Sequence, residues 1–231
     1  MSAPWRDETV GIQRTDLAEQ VYQLLRQRIF TAALQPGDKV RPESVAQELG
    51  VSRTPVVEAI NRLAEHGLVV MQPRRSTFVS NLSLERVIAL FDVRLMMEEF
   101  GARRGVARAT DHDIERFRLL LTDEEALIDG DSVTDYLAWL RINREFHQAC
   151  IDLAANPVLS ELHARLNIDI VMARAFRLAT LRNSRDVHSE HVCIVRGYEH
   201  RDAEALLAAV VAHLSRGRDA YAMFVQSRDG G

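Results

Sequence analysis

Residues 42–80 constrain this chain most, because they set two short helical signals, a glycine stop and a hairpin one after another. In PESVAQELG, Val45, Ala46 and Leu49 fall on one side of a short helix, and Gly50 supplies its stop. VSRTPVVEAINRLAEHG follows, with Val56, Ala59, Ile60 and Leu63 as its apolar stripe. Ser52 or Thr54 can cap that helix, Pro55 fits its first turn, where a missing N–H costs nothing, and Gly67 closes it. The period then changes. LVVM (68–71) and TFVS (77–80) are short, β-branched and aromatic, and the polar turn QPRRS between them makes a hairpin. Upstream, from Thr15, the residues Leu17, Val21, Leu24, Leu25 and Ile29 recur at helical spacing until Pro36-Gly37 turns the chain. Three helices and a hairpin over 15–80 describe a winged helix-turn-helix, preceded by a loose arm at 1–14 that has no periodicity.

After Ser83 no strand signal returns. Helical patterns cover about 84–108, 111–129, 132–154, 157–181, 186–199 and 202–226, with breaks at Asp111, Gly130-Asp131, Asn156-Pro157, Asn183-Ser184 and Asp202. The expected fold is mainly α: the winged unit, a linker at 81–85 (NLSLE), and an all-α bundle of six to seven helices over 86–228. At 231 residues and 47% hydrophobic, the chain can bury a sizeable core. No apolar run approaches the roughly 20 residues that span a bilayer, and the start lacks a signal peptide's apolar segment. A cytoplasmic protein is expected. Cys150 and Cys193 form no CxxC pair, which argues against a disulfide framework or a zinc ribbon, and both are expected in the core. The net charge of -4 hides an asymmetry: ten basic against nine acidic side chains up to residue 80, then nineteen against twenty-four.

The second helix of such a motif enters the major groove by its N-terminus, so Ser52, Arg53 and Thr54 stand where phosphates and base edges of double-stranded operator DNA would lie. Arg53 is the candidate for base contact, since its fork can bond both acceptors of guanine. Arg74 and Arg75 on the hairpin tip suit the backbone or minor groove, and Lys39 and Arg41 flank the motif. The runs PGDKV, VAQELGVSRTPVVEAINRLAEHGLV and RRSTFV resemble the winged helix-turn-helix of the GntR superfamily of bacterial transcription regulators. Three positions depart from that pattern: Val57 stands where many members carry a second arginine, Glu43 where a basic or polar residue is common, and Ser76 where the wing has glycine. The departures imply an unusual operator or modest affinity.

Over residues 84–226, the order VRLMMEEFGA, NREFH, SEH, AHL resembles the FadR-type C-terminal (FCD) domain. That resemblance implies an effector-binding, dimerising bundle whose pocket often holds a divalent metal on one acid and three histidines, with a small carboxylate as ligand. By position the histidines are His147, His191 and His213, and the acid's place is Asn143. Three histidines on three helices are a known way to build a metal site, and imidazole suits zinc or nickel, with manganese a third candidate. Asn143 offers only a neutral carbonyl oxygen, which lowers metal affinity. Two readings stay open: a weakened metal site, or a metal-free pocket in which Asn143 and the histidines bond the ligand directly. Arg94 is the candidate clamp for an effector carboxylate, against an intrahelical ion pair with Glu98.

His66, His112, His163, His188 and His200 are taken as surface or structural, with His188 a spare beside His191. Leu90, Val93, Met97, Leu206, Val210 and Leu214 are read as core or dimer contacts, and a homodimer suits a two-fold operator. The function expected is an effector-responsive transcription factor, with repression relieved by ligand. A metal-responsive regulator and a metal-dependent enzyme are the alternatives. Against the enzyme, the chain has no HExxH, GxSxG or phosphate loop, and no acid–base carboxylate is evident beside the histidines.

Overall fold

In a computed structural model of the chain, residues 14–31, 33–72, 76–80, 84–166 and 184–229 are described. They fall into two compact units, Met1–Asn81 and Leu82–Gly231. The expected arm lies almost wholly outside the described residues, as do Arg74, Arg75 and most of the expected linker.

The first unit contains α1 (Arg14–Phe30), β1 (Lys39–Val40), α2 (Pro42–Leu49), α3 (Arg53–Glu65), β2 (Val69–Gln72) and β3 (Ser76–Val79). Pro42 opens α2 in its first turn, and Gly50, at φ 64°, ends it in the left-handed region. Ser52 takes the N-cap position of α3, although its side chain makes no capping bond there. Val21, Leu25 and Ile29 of α1 pack on the buried Val56, Ala59, Ile60 and Leu63 of α3. Leu17 is exposed instead of inward, and Ala18 takes the buried place, because the α1 stripe begins one residue later than the leucine suggests.

The hairpin is part of a three-stranded antiparallel sheet in the order β1-β3-β2. Lys39 pairs with Phe78, and Val40 with Thr77. A two-residue strand leaves no alternation to detect, so β1 is not visible in the sequence.

The second unit contains α4 (Leu84–Gly105), α5 (Asp111–Glu125), β4 (Ile128–Asp129), β5 (Ser132–Val133), α6 (Tyr136–Asp152) and α7 (Pro157–Arg165). It continues with α8 (Ser184–Glu199) and α9 (Ala203–Asp229). The second unit is the helical bundle expected, with one addition, the small β4–β5 hairpin, which Gly130 turns at φ 61°. It shortens the helices expected to reach 129 and to begin at 132. The rest of the helix expected over 157–181 lies outside the described residues. Thr110 and Asp113 close a capping box on α5, Asp135 caps α6 and Asn156 caps α7, each side chain accepting a backbone N–H that the helix leaves unpaired.

The core gathers Phe117, Phe146, Ile194, Tyr198, Leu206, Val210 and Leu214 between α4, α5, α6, α8 and α9. Val93 is exposed and lies outside it. Cys150 is buried, whereas Cys193 is exposed on α8, against the expectation for it. Helices α8 and α9 meet closely at Gly197, where an added Cβ would come 2.7 Å from Leu206 Cα. Gly197→Ala is therefore expected to cost about 1–3 kcal/mol in chemical denaturation, as overpacking between two backbones does. A cost near zero would mean that α8 and α9 can separate freely.

Candidate functional site

Three helices each present one histidine to a single point inside the second unit: His147 from α6, His191 from α8 and His213 from α9. All three are buried, and their ligand atoms lie within 4.8 Å of one another. Amphipathic periodicity explains the burial. Asn143 and His147 share the face of α6 that also buries Trp139, Phe146 and Cys150. His191 stacks on Phe146 at 4.4 Å between ring centroids, and His147 stacks with His213 at 5.1 Å.

Each imidazole is held from behind by a carboxylate. His147 Nδ1 lies 2.8 Å from Glu98 Oε2, His191 Nδ1 2.9 Å from Glu124 Oε1, and His213 Nδ1 2.7 Å from Glu190 Oε2. A carboxylate accepts, so each Nδ1–H donates, and a neutral ring then leaves Nε2 as a bare acceptor. His147 Nε2 and His213 Nε2 nevertheless face each other at 3.2 Å. Two lone pairs at that distance repel unless a cation lies between them. In a tetrahedral site with nitrogen at about 2.05 Å from a metal, neighbouring nitrogens are about 3.4 Å apart. The donor set and its outer carboxylates thus fit a divalent ion, in the arrangement by which proteins orient metal-binding histidines.

Electrostatics favours the metal-ready form. Burial, together with the nearby Arg94 charge, pushes the His147 pKa well below its usual range, and burial takes His213 down to about 4 despite its bond to Glu190. Both rings are neutral at pH 7, the form that ligates metal. Burial alone would raise the Glu98 carboxyl, but Arg94 and His147 outweigh it and hold the group well below the usual carboxylate range. At Glu124 burial is likewise overcome, by His191 and His188, and the pKa falls to about 2.

Arg94, one turn before Glu98 on α4, and Asn143, one turn before His147 on α6, are the two further buried polar residues expected at this site. Arg94 is buried with Glu98 and donates through Nε at 2.5 Å, so the ion-pair reading of these two residues is realised. The guanidinium is not used up: Arg94 Nη2, Asn143 Oδ1 and His191 Nε2 are all buried without a hydrogen-bond partner. Buried polar atoms are seldom left so, because each costs about 1–3 kcal/mol.

The sequence reading missed several members of this site. Glu124 and Glu190 stand outside the sequence expectations and Glu98 enters them only as a partner of Arg94, so the expectation of no carboxylate beside the histidines is corrected. Glu190 directly precedes His191 and could have been noticed, whereas Glu124 sits on α5 and comes near only through the packing of α5 on α8. His163 is buried and meets Gln148 at 3.1 Å and Glu98 at 3.4 Å, and His188 shares Glu124 with His191. Both belong to the outer layer.

In the first unit, Lys39, Arg41, Ser52, Arg53 and Thr54 are all exposed. Arg41 stands at the N-cap of α2 and Ser52 at that of α3. Lys39 Nζ lies 5.9 Å from the centre of the Phe78 ring, and Arg53 Nη2 lies 3.0 Å from Glu43 Oε1. Among the described residues no helix is long and apolar enough to cross a membrane.

Comparison with known proteins agrees with both units. Residues 17–79 match the profile described as bacterial regulatory proteins, gntR family, and residues 89–216 match that of the FCD domain. The chain is 28% identical over 186 residues to the Nta operon transcriptional regulator of Aminobacter aminovorans, covering 80% of this chain and 84% of that one. It is 24% identical over 196 residues to the HTH-type transcriptional repressor RspR of Escherichia coli K12, covering 85% of each. In fold it resembles the solved structure of E. coli McbR/YncC, with a TM-score of 0.71 at 20% identity over 92% of this chain and 98% of that one. The chain therefore belongs to the GntR family of bacterial transcription regulators, a DNA-binding protein and not an enzyme, whose second half is an FCD domain.

Proposed function

We propose that this regulator is a FadR-subfamily repressor that binds its operator as a homodimer and is released by a small carboxylate effector, held together with a divalent ion in the helical bundle. One observation carries the reading: three buried histidines, each backed by a carboxylate, bring their ligand nitrogens within 4.8 Å of one another, and Asn143 Oδ1 and Arg94 Nη2 are buried without a hydrogen-bond partner. His147, His191 and His213 are the metal ligands of the proposal, with zinc, nickel or manganese as the candidates. Asn143 contributes a neutral oxygen to the ion or to the effector. When bound, the ion supplies a Lewis-acid point for one effector oxygen, and the fork of Arg94 takes another while its Nε stays with Glu98. Lys39, Arg41, Ser52, Arg53 and Thr54 meet DNA, with Arg74 and Arg75 assigned to the same surface from sequence. Repression is supported by the naming of RspR as a repressor. A homodimer is supported by the two-fold symmetry that operators for such motifs share. The effector acts by favouring the arrangement that binds DNA less well, since only unequal affinity for two states can shift their balance.

A thermal-shift series on the full chain tests this, using small mono- and dicarboxylates with and without Zn²⁺, Ni²⁺ or Mn²⁺. One acid is expected to raise Tm by about 5–10 °C at a hundredfold excess over its Kd, with metal present. Arg94→Lys keeps the charge beside Glu98 but loses the planar fork, so the fold is expected to survive and the acid's effect to vanish. If no acid shifts Tm with any metal, or if Arg94→Lys responds like the parent, the proposal fails.

A further inference from the structure

The outward side of α3 carries a residue that neither core packing nor phosphate binding accounts for. Arg53, Thr54, Val57, Glu58 and Asn61 line a shallow concavity of about 380 Å³. Opposite them, Val56, Ala59, Ile60 and Leu63 are buried in the core. Val57 is thus a half-exposed, β-branched apolar side chain in the middle of a polar stripe. In a helix-turn-helix this is the helix that enters the major groove. Its neighbours offer hydrogen-bonding groups, and Val57 offers only methyls. On the major-groove edge of the base pairs the matching apolar feature is the C5-methyl of thymine.

Arg53 lies one turn before Val57, with Nη2 3.0 Å from Glu43 Oε1 in the first turn of α2. An acid on a DNA face repels phosphates. Here it also holds the guanidinium by one side, which narrows the directions in which the fork can point. Four residues of helix rise about 6 Å, close to two base-pair steps.

We propose that Val57 reads the methyl group of a thymine, and that Arg53, steered by Glu43, reads a guanine within about two base pairs of it. The inference rests on the DNA-binding reading of the winged unit. Glu43 then trades affinity for selectivity: without its charge, binding to any duplex strengthens and the preference for guanine weakens.

The test begins with selection of duplexes from a random library by the full-length protein at one fixed salt concentration. Thymines of the selected sequence are then replaced singly by uracil, which removes only the methyl. At one thymine the parent is expected to lose about fourfold in affinity, the loss of about one buried methyl, while Val57→Ala binds the thymine and uracil duplexes equally. Glu43→Gln should bind unselected duplex more tightly and discriminate less against guanine-to-adenine changes. Val57 and Glu43 are on the surface, so both variants should keep the parent's circular dichroism. Indifference of the parent to uracil at every thymine, or a uracil effect that persists in Val57→Ala, overturns the thymine assignment. Unchanged guanine discrimination in Glu43→Gln overturns the steering. If selection enriches no sequence at all, the DNA-reading surface itself is wrong, a failure separate from these two.

Discussion

Glu98→Ala is expected to cost the bundle about 3–5 kcal/mol, the effect of removing one partner of a buried ion pair and leaving the other charged. The magnitude follows from the company Glu98 keeps. Its side chain and that of Arg94 are 3% and 1% exposed, so water cannot replace the lost carboxylate. The same two oxygens accept from His147 at 2.8 Å and lie 3.4 Å from His163 Nε2. Removing them strands a guanidinium and releases the imidazole that α6 contributes to the centre. Glu98→Gln keeps the volume and one acceptor oxygen and should fall between the alanine variant and the parent. Chemical denaturation followed by far-ultraviolet dichroism measures both. An alanine variant within 1 kcal/mol of the parent would show that Arg94 finds another partner and that the buried pair does not organise the bundle.

Divalent metal should bind Glu190→Gln about 10–100-fold more weakly than the parent, as outer-layer changes at histidine sites do. The reason lies in proton placement. Glu190 accepts from His213 Nδ1 at 2.7 Å and from Arg216 Nε at 2.5 Å. A carboxylate can only accept from Nδ1, which fixes the bare lone pair on Nε2. An amide can instead present its NH₂ group to Nδ1, and the proton then moves to Nε2 and blocks the ligand atom. Asn143→Asp should act in the opposite direction, since it puts an anionic oxygen one turn before His147 on the same buried face of α6. Competition against a chromogenic chelator gives both affinities. Unchanged affinity in Glu190→Gln would mean that the carboxylate does not set the tautomer, and unchanged affinity in Asn143→Asp would favour a pocket that works without metal.

What could be read from the sequence was set by local periodicity. Val56, Ala59, Ile60 and Leu63 repeat at helical spacing and are all buried, and the histidines at 147, 191 and 213 each lie on the inward side of an amphipathic helix. Their convergence was expected from resemblance, because spacing along the chain says nothing about which helices pack together. Glu124 shows the limit most plainly. It ends a polar helix, and only the packing of α5 against α8 brings it to 2.9 Å from His191. The β1 strand and the β4–β5 hairpin were missed for a different reason: two residues show no alternation, and their pairing is long-range or depends on the turn at Gly130. Cys193 was misassigned because its neighbours on α8 are apolar in sequence, although its own side faces solvent.

Whether His147, His191 and His213 form a metal centre is measured most directly by the metal content of the full-length protein. The protein is loaded separately with Zn²⁺, Ni²⁺ and Mn²⁺, dialysed, and analysed for metal beside His147→Ala and His213→Ala. About one ion per chain is predicted for the parent with at least one of the three metals, falling close to zero in each variant. A folded parent that retains none of them, or variants that retain as much as the parent, would contradict it.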